Sequence, residues 1–224
     1  SNKRGIMKTF FLLSVVALLP VILSALIYLA ERTKAIRKLP YAVRQLLIGV
    51  LFGGLAILGT EFGIKTDGAI INARDASPIC AGLLFGAPAG IIAGLIGGVE
   101  RWFAVLWGAG QYTRLACSIS TVLAGVFAAV LRKFMFDNKK PKWYYCLATA
   151  TITEVIHMLM IFLTNMTDAR TAFSFVRTCS LPMIAVNSLA VMLAGLLLSI
   201  LSGADRKSER RDLKKISQSF QRFL

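Results

Sequence analysis

The sequence predicts an all-α membrane protein with about seven crossings, one of them a short half-helix, since a spanning helix needs about 20 mostly apolar residues. Composition is the first reason. Of 224 residues, 56% are hydrophobic and only 17% charged, with a mean hydropathy of +0.68. Soluble domains sit nearer about 45–50% apolar and about 25% charged. The second reason is the length of the apolar runs: Phe10–Ala30, Tyr41–Phe62, Ala89–Trp107, Leu115–Phe134, Trp143–Thr164 and Val176–Leu201. The third is that charge is clustered between these runs rather than spread through them. The net charge of +15 would suggest nucleic acid in a soluble chain. Lys and Arg that flank apolar runs serve topology and lipid headgroups instead, so membrane lipids are expected partners and nucleic acid is not.

Phe10–Ala30 is longer than the core of a cleaved leader and is followed by basic residues, so it reads as a retained helix. Between the second and third long runs lies Pro78–Gly86, too short to cross alone. With Gly68–Ser77 before it, the crossing is completed by irregular backbone, which is tolerated at that depth only inside protein or against a wet cavity. Charge placement tests this count. Arg32, Lys34, Arg37, Lys38 and Arg44 form one basic cluster; Arg132, Lys133, Lys139, Lys140 and Lys142 a second; Arg206, Lys207, Arg210, Arg211, Lys214, Lys215 and Arg222 a third. They share one side only if the short piece counts as a crossing. The positive-inside rule makes that side cytoplasmic, which puts the N-terminus outside and the C-terminus inside, with Lys3, Arg4 and Lys8 against the trend. Residues 1–40 then form an N-terminal helix and basic loop, 41–203 a membrane domain and 204–224 a cytoplasmic tail.

Gly86, Gly90 and Gly94 recur every four residues, the spacing that lets helix backbones approach closely. In the tail, Leu213, Ile216, Phe220 and Phe223 follow an amphipathic spacing. That pattern fits the start of a coiled coil, hence a homodimer through the tail, or a basic helix lying on the inner leaflet. Cys80, Cys117, Cys146 and Cys179 sit in or beside apolar runs with no CxxC, so disulfides and zinc are not expected, and Cys80 and Cys146 read as small packing residues.

Ionisable groups at membrane depth mark function. Glu61, Asp67, Asn72, Arg74, Asp75, Glu100, Arg101, Arg114, Arg170 and Arg177 collect near the outer ends of the crossings, while Glu154 and His157 lie deeper, three residues apart on one helix face. Ser77 is the expected N-cap of the half-helix with Pro78 at its first position. A helix N-terminus favours an anion, and Arg74 adds a planar fork suited to a carboxylate. With Arg101 nearby, this is a candidate site for a small anion. The alternative is internal pairing, of Arg74 with Asp75 and of Arg101 with Glu100 or Glu61. Cys117 and Ser120 share a face. The hydroxyl can donate to a ligand oxygen and the thiol can contact, or react weakly with, a carbonyl; alternatively, Ser120 bonds back to its own helix. His157 reads as one half of a buried pair with Glu154. No catalytic triad, phosphate loop or metal-ligand cluster is legible, so no catalysis, cofactor or metal is expected of this chain.

The stretch NARDASPICAGLLFGAPAGIIAGLIGGVERW, followed by TRLACSISTVLAGVFAAVL, resembles the LytS–YhcK type five-transmembrane receptor domain across roughly Tyr41 to Leu201. Asn72, Arg74, Gly86, Pro88, Gly90, Glu100 and Arg101 carry the resemblance. The substrate-binding subunits of energy-coupling-factor vitamin transporters are similar more distantly. The resemblance implies a sensory module in the bacterial plasma membrane, coupled to a histidine kinase, diguanylate cyclase or phosphatase. It also implies a small carboxylate ligand such as pyruvate, held by Arg74, Arg101, Cys117 and Ser120. A transporter subunit is the alternative.

Overall fold

The computed structural model describes residues 2–66, 69–108 and 110–223, with side chains over 11–65, 70–108 and 110–203. The side chains of Lys3, Arg4, Lys8 and Asp67, and the tail pattern Leu213, Ile216, Phe220 and Phe223, lie outside those residues. The helices are α1 (Asn2–Ala30), α2 (Lys34–Arg37), α3 (Tyr41–Glu61), α4 (Ala76–Cys80), α5 (Ala87–Phe103), α6 (Arg114–Val130), α7 (Trp143–Thr164) and α8 (Ala169–Phe223). Among the described residues, six helices are long and apolar enough to cross a membrane, and the apolar helix Ala76–Phe85 is shorter. The all-α membrane class is therefore as expected, and Trp143–Thr164 matches the reading at both ends.

Three features differ from the reading. Ile64–Thr66 (β1) and Ala69–Ile71 (β2) pair as an antiparallel hairpin, Ile64 opposite Ile71, where irregular chain was expected. Strands of three residues are too short to show alternation. The last long helix begins at Ala169 rather than Val176, because Arg170, Ser174 and Arg177 lower the hydropathy of its first turns without opposing a helix. The half-helix begins at Ala76, with Asp75 in the N-cap position, so Ser77 and Pro78 fall inside its first turn and Ser77 is not the cap.

The short helix does cross the bundle. At its start, a Cβ on Gly59 would stand 2.8 Å from the Cα of Arg74. At its end, the Gln45 amide receives the chain. Gly59 and Gln45 lie at opposite ends of α3, about 20 Å apart at 1.5 Å per residue. Residues 72–86 therefore run back along the whole of α3. After Cys80 the helix widens into a π turn, Ala81–Phe85, closed by Gly86 N–H donating to Ala81 O at 3.1 Å. The widening helps ten residues end where Gly86 can turn the chain into α5.

Both ends of this buried helix are satisfied by side chains from elsewhere, as the orphan backbone groups of a helix end require. At the start, Ala76 N–H donates to Asn187 Oδ1 of α8 at 2.9 Å, and Asn187 Nδ2 donates to Asn72 O at 3.1 Å. At the far end, Gln45 Nε2 donates to Phe85 O at 3.1 Å, while its Oε1 accepts from Ala89 N–H at 3.1 Å. Arg132, at the end of α6, donates to Leu83 O. The basic clusters around residues 32–44 and 132–142 thus share one end of the bundle with the exit of α8, and the Asn72–Arg74 turn lies at the other.

The core runs the length of the bundle. Leu13, Ala17, Val21 and Ile27 of α1 belong to the same buried cluster as Phe52, Ile79, Leu83, Ala124, Met158 and Val191, so α1 packs as part of one bundle with the rest. A close seam joins the π turn Ala81–Phe85, α5 and α6. A Cβ on Gly90 would stand 2.5 Å from Gly82 Cα, and one on Gly94 would stand 3.0 Å from Thr121 O. Among the described residues, α5 can lie this close to the half-helix only without side chains at the contact.

Gly90→Val is expected to destabilise the fold by about 1–3 kcal/mol through overpacking. Gly54→Ala, where an added Cβ meets nothing within 4 Å, is expected to be neutral. Thermal unfolding of both variants in detergent checks the pair.

Candidate functional site

The turn Asn72–Asp75 is held in place before any ligand is considered. Asn72 Nδ2 donates to Ile70 O at 2.9 Å, and its Oδ1 accepts from Arg74 N–H at 3.1 Å. This closes a side-chain-to-backbone turn and aims Arg74 and Asp75 between α3, α6 and α7. Both are fully buried.

Arg74 is engaged. Its Nε donates to Thr121 Oγ1 at 2.6 Å and to Asp75 Oδ1 at 3.3 Å, its Nη1 to Thr60 Oγ1 at 3.3 Å, and its Nη2 to Cys117 O at 3.4 Å. Internal pairing of Arg74 with Asp75 therefore holds. The bridge is a dry one between adjacent residues, possible because the turn lets both side chains converge.

Arg101 differs. It is also fully buried, at the end of α5, but its Nη2 donates to Gly110 O at 2.6 Å and to Thr113 Oγ1 at 3.3 Å, both neutral acceptors. Its Nε and Nη1 have no hydrogen-bond partner. The expected internal alternatives do not occur: Glu61 accepts from Trp107 Nε1 at 2.6 Å, and both Glu100 carboxylate oxygens are buried without a partner. The segment after α5 folds back so that Gly110 and Thr113 hold the guanidinium from one side. Cys117, Arg74 and Glu100 are its charged or ionisable neighbours. Leaving N–H groups of a buried guanidinium without an acceptor is costly.

Cys117 and Ser120 both face inward on α6 and are 3% and 2% exposed. Ser120 Oγ has no partner, so it does not bond back to its helix. It lines a cavity of about 230 Å³ between α6 and α7, together with Thr153 and Ile156. Ser77 Oγ is likewise without a partner. Arg177 is exposed on α8 and is not brought to the cluster. A larger cavity of about 420 Å³ lies at the other end of the bundle among Lys139, Lys140 and Lys142, away from the arginines.

The structure also gathers groups that were read separately. His157 Nδ1 stands 2.7 Å from Asp75 Oδ2, and its Nε2 stands 3.3 Å from Cys117 Sγ. Glu154 Oε2 is 3.9 Å from His157 Nδ1, so the expected Glu154–His157 pair exists but is the looser contact. The result is an Asp–His–Cys chain drawn from three elements, where no triad was legible. Its members lie 82 and 40 positions apart, too far for any spacing rule. Asp75, Glu154 and His157 also place three ligand-capable atoms within 4.8 Å of one another. The donor number suits a cation, but the neighbouring charge does not. Arg74 occupies one Asp75 oxygen and His157 the other, so a metal ion would sit against a guanidinium. Asn187 was missed altogether. The signal for it was a lone asparagine within the apolar run 176–201.

Comparison with known proteins agrees with this architecture. The family described as 5TMR of 5TMR-LYT matches residues 27–200. The sensor histidine kinase YpdA of Escherichia coli (strain K12) is 25% identical over 199 residues, covering 88% of this chain and 34% of the relative. The sensor histidine kinase BtsS of the same strain is 27% identical over 152 residues, 66% of this chain and 26% of the relative. The sensor protein LytS of Bacillus cereus is 29% identical over 166 residues, 72% of this chain and 26% of the relative. The chain spans about a third or less of the length of these relatives. No solved structure matches it. With membrane-length helices, a broken helix and a family match across most of its length, the chain belongs to the 5TMR-LYT family of transmembrane sensor domains and is a multi-pass protein of the bacterial plasma membrane.

Proposed function

We propose that this chain is the sensing module of a histidine kinase and that it detects a small extracellular carboxylate such as pyruvate. The observation that carries the proposal is Arg101: fully buried, with two N–H-bearing nitrogens unpartnered, beside Cys117 and Arg74. A carboxylate supplies a charged acceptor oxygen for N–H groups that have none. Arg101 takes the carboxylate, the Ser120 hydroxyl and Cys117 thiol meet the rest of the ligand, and Arg74 holds Asp75 in place while adding positive potential. Asn72 fixes the turn that carries Arg74. Ser77, Glu100 and Glu154 are secondary polar contacts.

The positive-inside rule makes the end with the basic clusters cytoplasmic, so the ligand enters from the opposite, outer end. Residues 41–203 act with the helix of residues 1–40 as the membrane unit. Residues 204–224 lead to the kinase portion and pair two copies of the chain. The relatives named above are sensor proteins, which favours sensing over transport.

Transmission uses Asn187. It bonds both the turn before the half-helix, through Asn72 O, and the half-helix itself, through Ala76 N–H, and it stands on the helix that leaves the membrane. A ligand that draws Arg101 and the Asn72–Asp75 turn together moves α8 through that bond pair. It shifts the receptor only to the extent that it binds the two packings unequally.

Titration calorimetry of pyruvate into the purified protein tests the site. Arg101→Gln is expected to weaken binding about 10–100-fold, the loss of charge-assisted hydrogen bonds worth about 1.5–3 kcal/mol. Undiminished affinity rejects the reading. In the full-length kinase, Asn187→Leu is expected to abolish the ligand-dependent change in autophosphorylation. A normal response in that variant removes Asn187 from the route.

A further inference from the structure

We infer that Cys117 is a nucleophile, activated by His157 and Asp75, and that it adds reversibly to the carbonyl carbon of a 2-oxo acid. The inference rests on the carboxylate reading and sharpens it from an acid to an acid with an electrophilic carbon beside the carboxylate.

The geometry supports each part. Asp75 Oδ2 lies 2.7 Å from His157 Nδ1, and a carboxylate there fixes the tautomer with the proton on Nδ1. The bare Nε2 then faces Cys117 Sγ at 3.3 Å and takes the thiol proton. Asp75 is itself oriented by Thr121 Oγ1 at 2.6 Å and by Arg74 Nε at 3.3 Å, so the base is backed by a fixed third group. The guanidinium of Arg74 donates to the carbonyl of Cys117 at 3.4 Å and so holds this turn of α6 against the Asn72–Asp75 turn. The other described thiols, Cys80, Cys146 and Cys179, are buried among apolar groups without such partners and serve packing.

What points to a ligand, beyond the thiol, is the set of unused donors around it. Arg101 offers Nε and Nη1, and Ser120 offers a hydroxyl one helical turn from Cys117; all are buried and unpartnered. A ligand held by its carboxylate on Arg101 presents its second carbon to Sγ and its carbonyl oxygen toward the hydroxyl. Of these groups Ser120 alone also lines the apolar groove between α6 and α7.

The step balances without a redox partner. The thiolate lone pair forms the S–C bond, the carbonyl π pair moves onto oxygen, and that oxygen takes the proton held on His157 Nε2. Thiol plus ketone becomes a hemithioketal. The reverse step expels the ligand and restores thiol and ketone, as a sensor requires. A 2-hydroxy acid or an unsubstituted acid binds Arg101 but has no carbon to accept sulfur, so the chemistry discriminates among acids of similar size.

The test uses the chain in lipid nanodiscs with pyruvate labelled with ¹³C at its second carbon. The expected result is a new ¹³C resonance in the range of saturated carbon for the wild type, absent in Cys117→Ser, with pyruvate bound at least about tenfold more tightly than lactate. His157→Gln is expected to lose that preference. Pyruvate that binds but keeps its carbonyl resonance, or binds no better than lactate, overturns the covalent step and leaves the carboxylate reading intact. Absence of binding by either acid rejects the carboxylate reading, and with it the 2-oxo acid. A separate arm then decides the nucleophile: peptide mass spectrometry after iodoacetate treatment of the wild type is expected to show Cys117 alkylated faster than Cys80, Cys146 and Cys179, an advantage lost in His157→Gln. Equal rates at the four thiols overturn it.

Discussion

A helix broken inside a bilayer leaves backbone donors and acceptors that no water reaches, and each unsatisfied one costs several kcal/mol. Much of this protein's architecture follows from meeting that demand. Asn187 supplies the start of the half-helix, Gln45 and Arg132 its end, and Asn72 the turn before it. The glycine seam between α5 and α6 follows from the same need, because the half-helix has to be walled by backbone close enough to exclude lipid. Once those conditions hold, the turn at Asn72–Asp75 becomes a rigid platform at membrane depth, and ionisable groups can be placed on it.

The platform explains why the arginines are unequal. Arg74 is adjacent to its own counter-charge on that turn, and four acceptors of three kinds converge on its guanidinium. Arg101 arrives from a different helix and finds only a backbone carbonyl and a threonine hydroxyl. Asp75 bonds the first arginine directly, while Glu100 is near the second without a hydrogen bond to it. The unpartnered N–H groups of Arg101 are therefore a property of how the elements meet rather than of any one residue. Arg74 and His157 already occupy the two Asp75 oxygens, which works against a metal ion there despite the ligand-capable atoms of Asp75, Glu154 and His157.

Hydropathy made the long helices legible because lipid imposes one criterion along about 20 residues. It failed where the criterion changes. The hairpin Ile64–Ile71 is too short for a pattern, the first turns of α8 are polar but helical, and the half-helix starts two residues before Pro78 because Asp75 takes the cap position. Of the site, Arg74, Arg101, Cys117 and Ser120 were legible as polar or reactive groups in apolar runs, and all four are buried on inward faces. Arg177 was legible in the same way and is exposed, since sequence gives the depth of a residue in a run but not the side of the helix it faces. The His157 link to Asp75 and Cys117 and the Asn187 link to Asn72 were not legible. They depend on which helices are neighbours, and no local spacing encodes that.

The helix that carries Asn187 continues without a break to Phe223. Over those residues it rises about 54 Å at 1.5 Å per residue, so the polar stitch at one end sets the angular phase of everything at the other. Such a rod is a rotor rather than a tether. One residue inserted beyond Asn187 turns its far end by about 100°, whereas seven return it to within about 20° of its starting azimuth. On the proposed reading, output is keyed to helical phase, and the length of α8 beyond the stitch is tolerant of change only in steps close to whole turns.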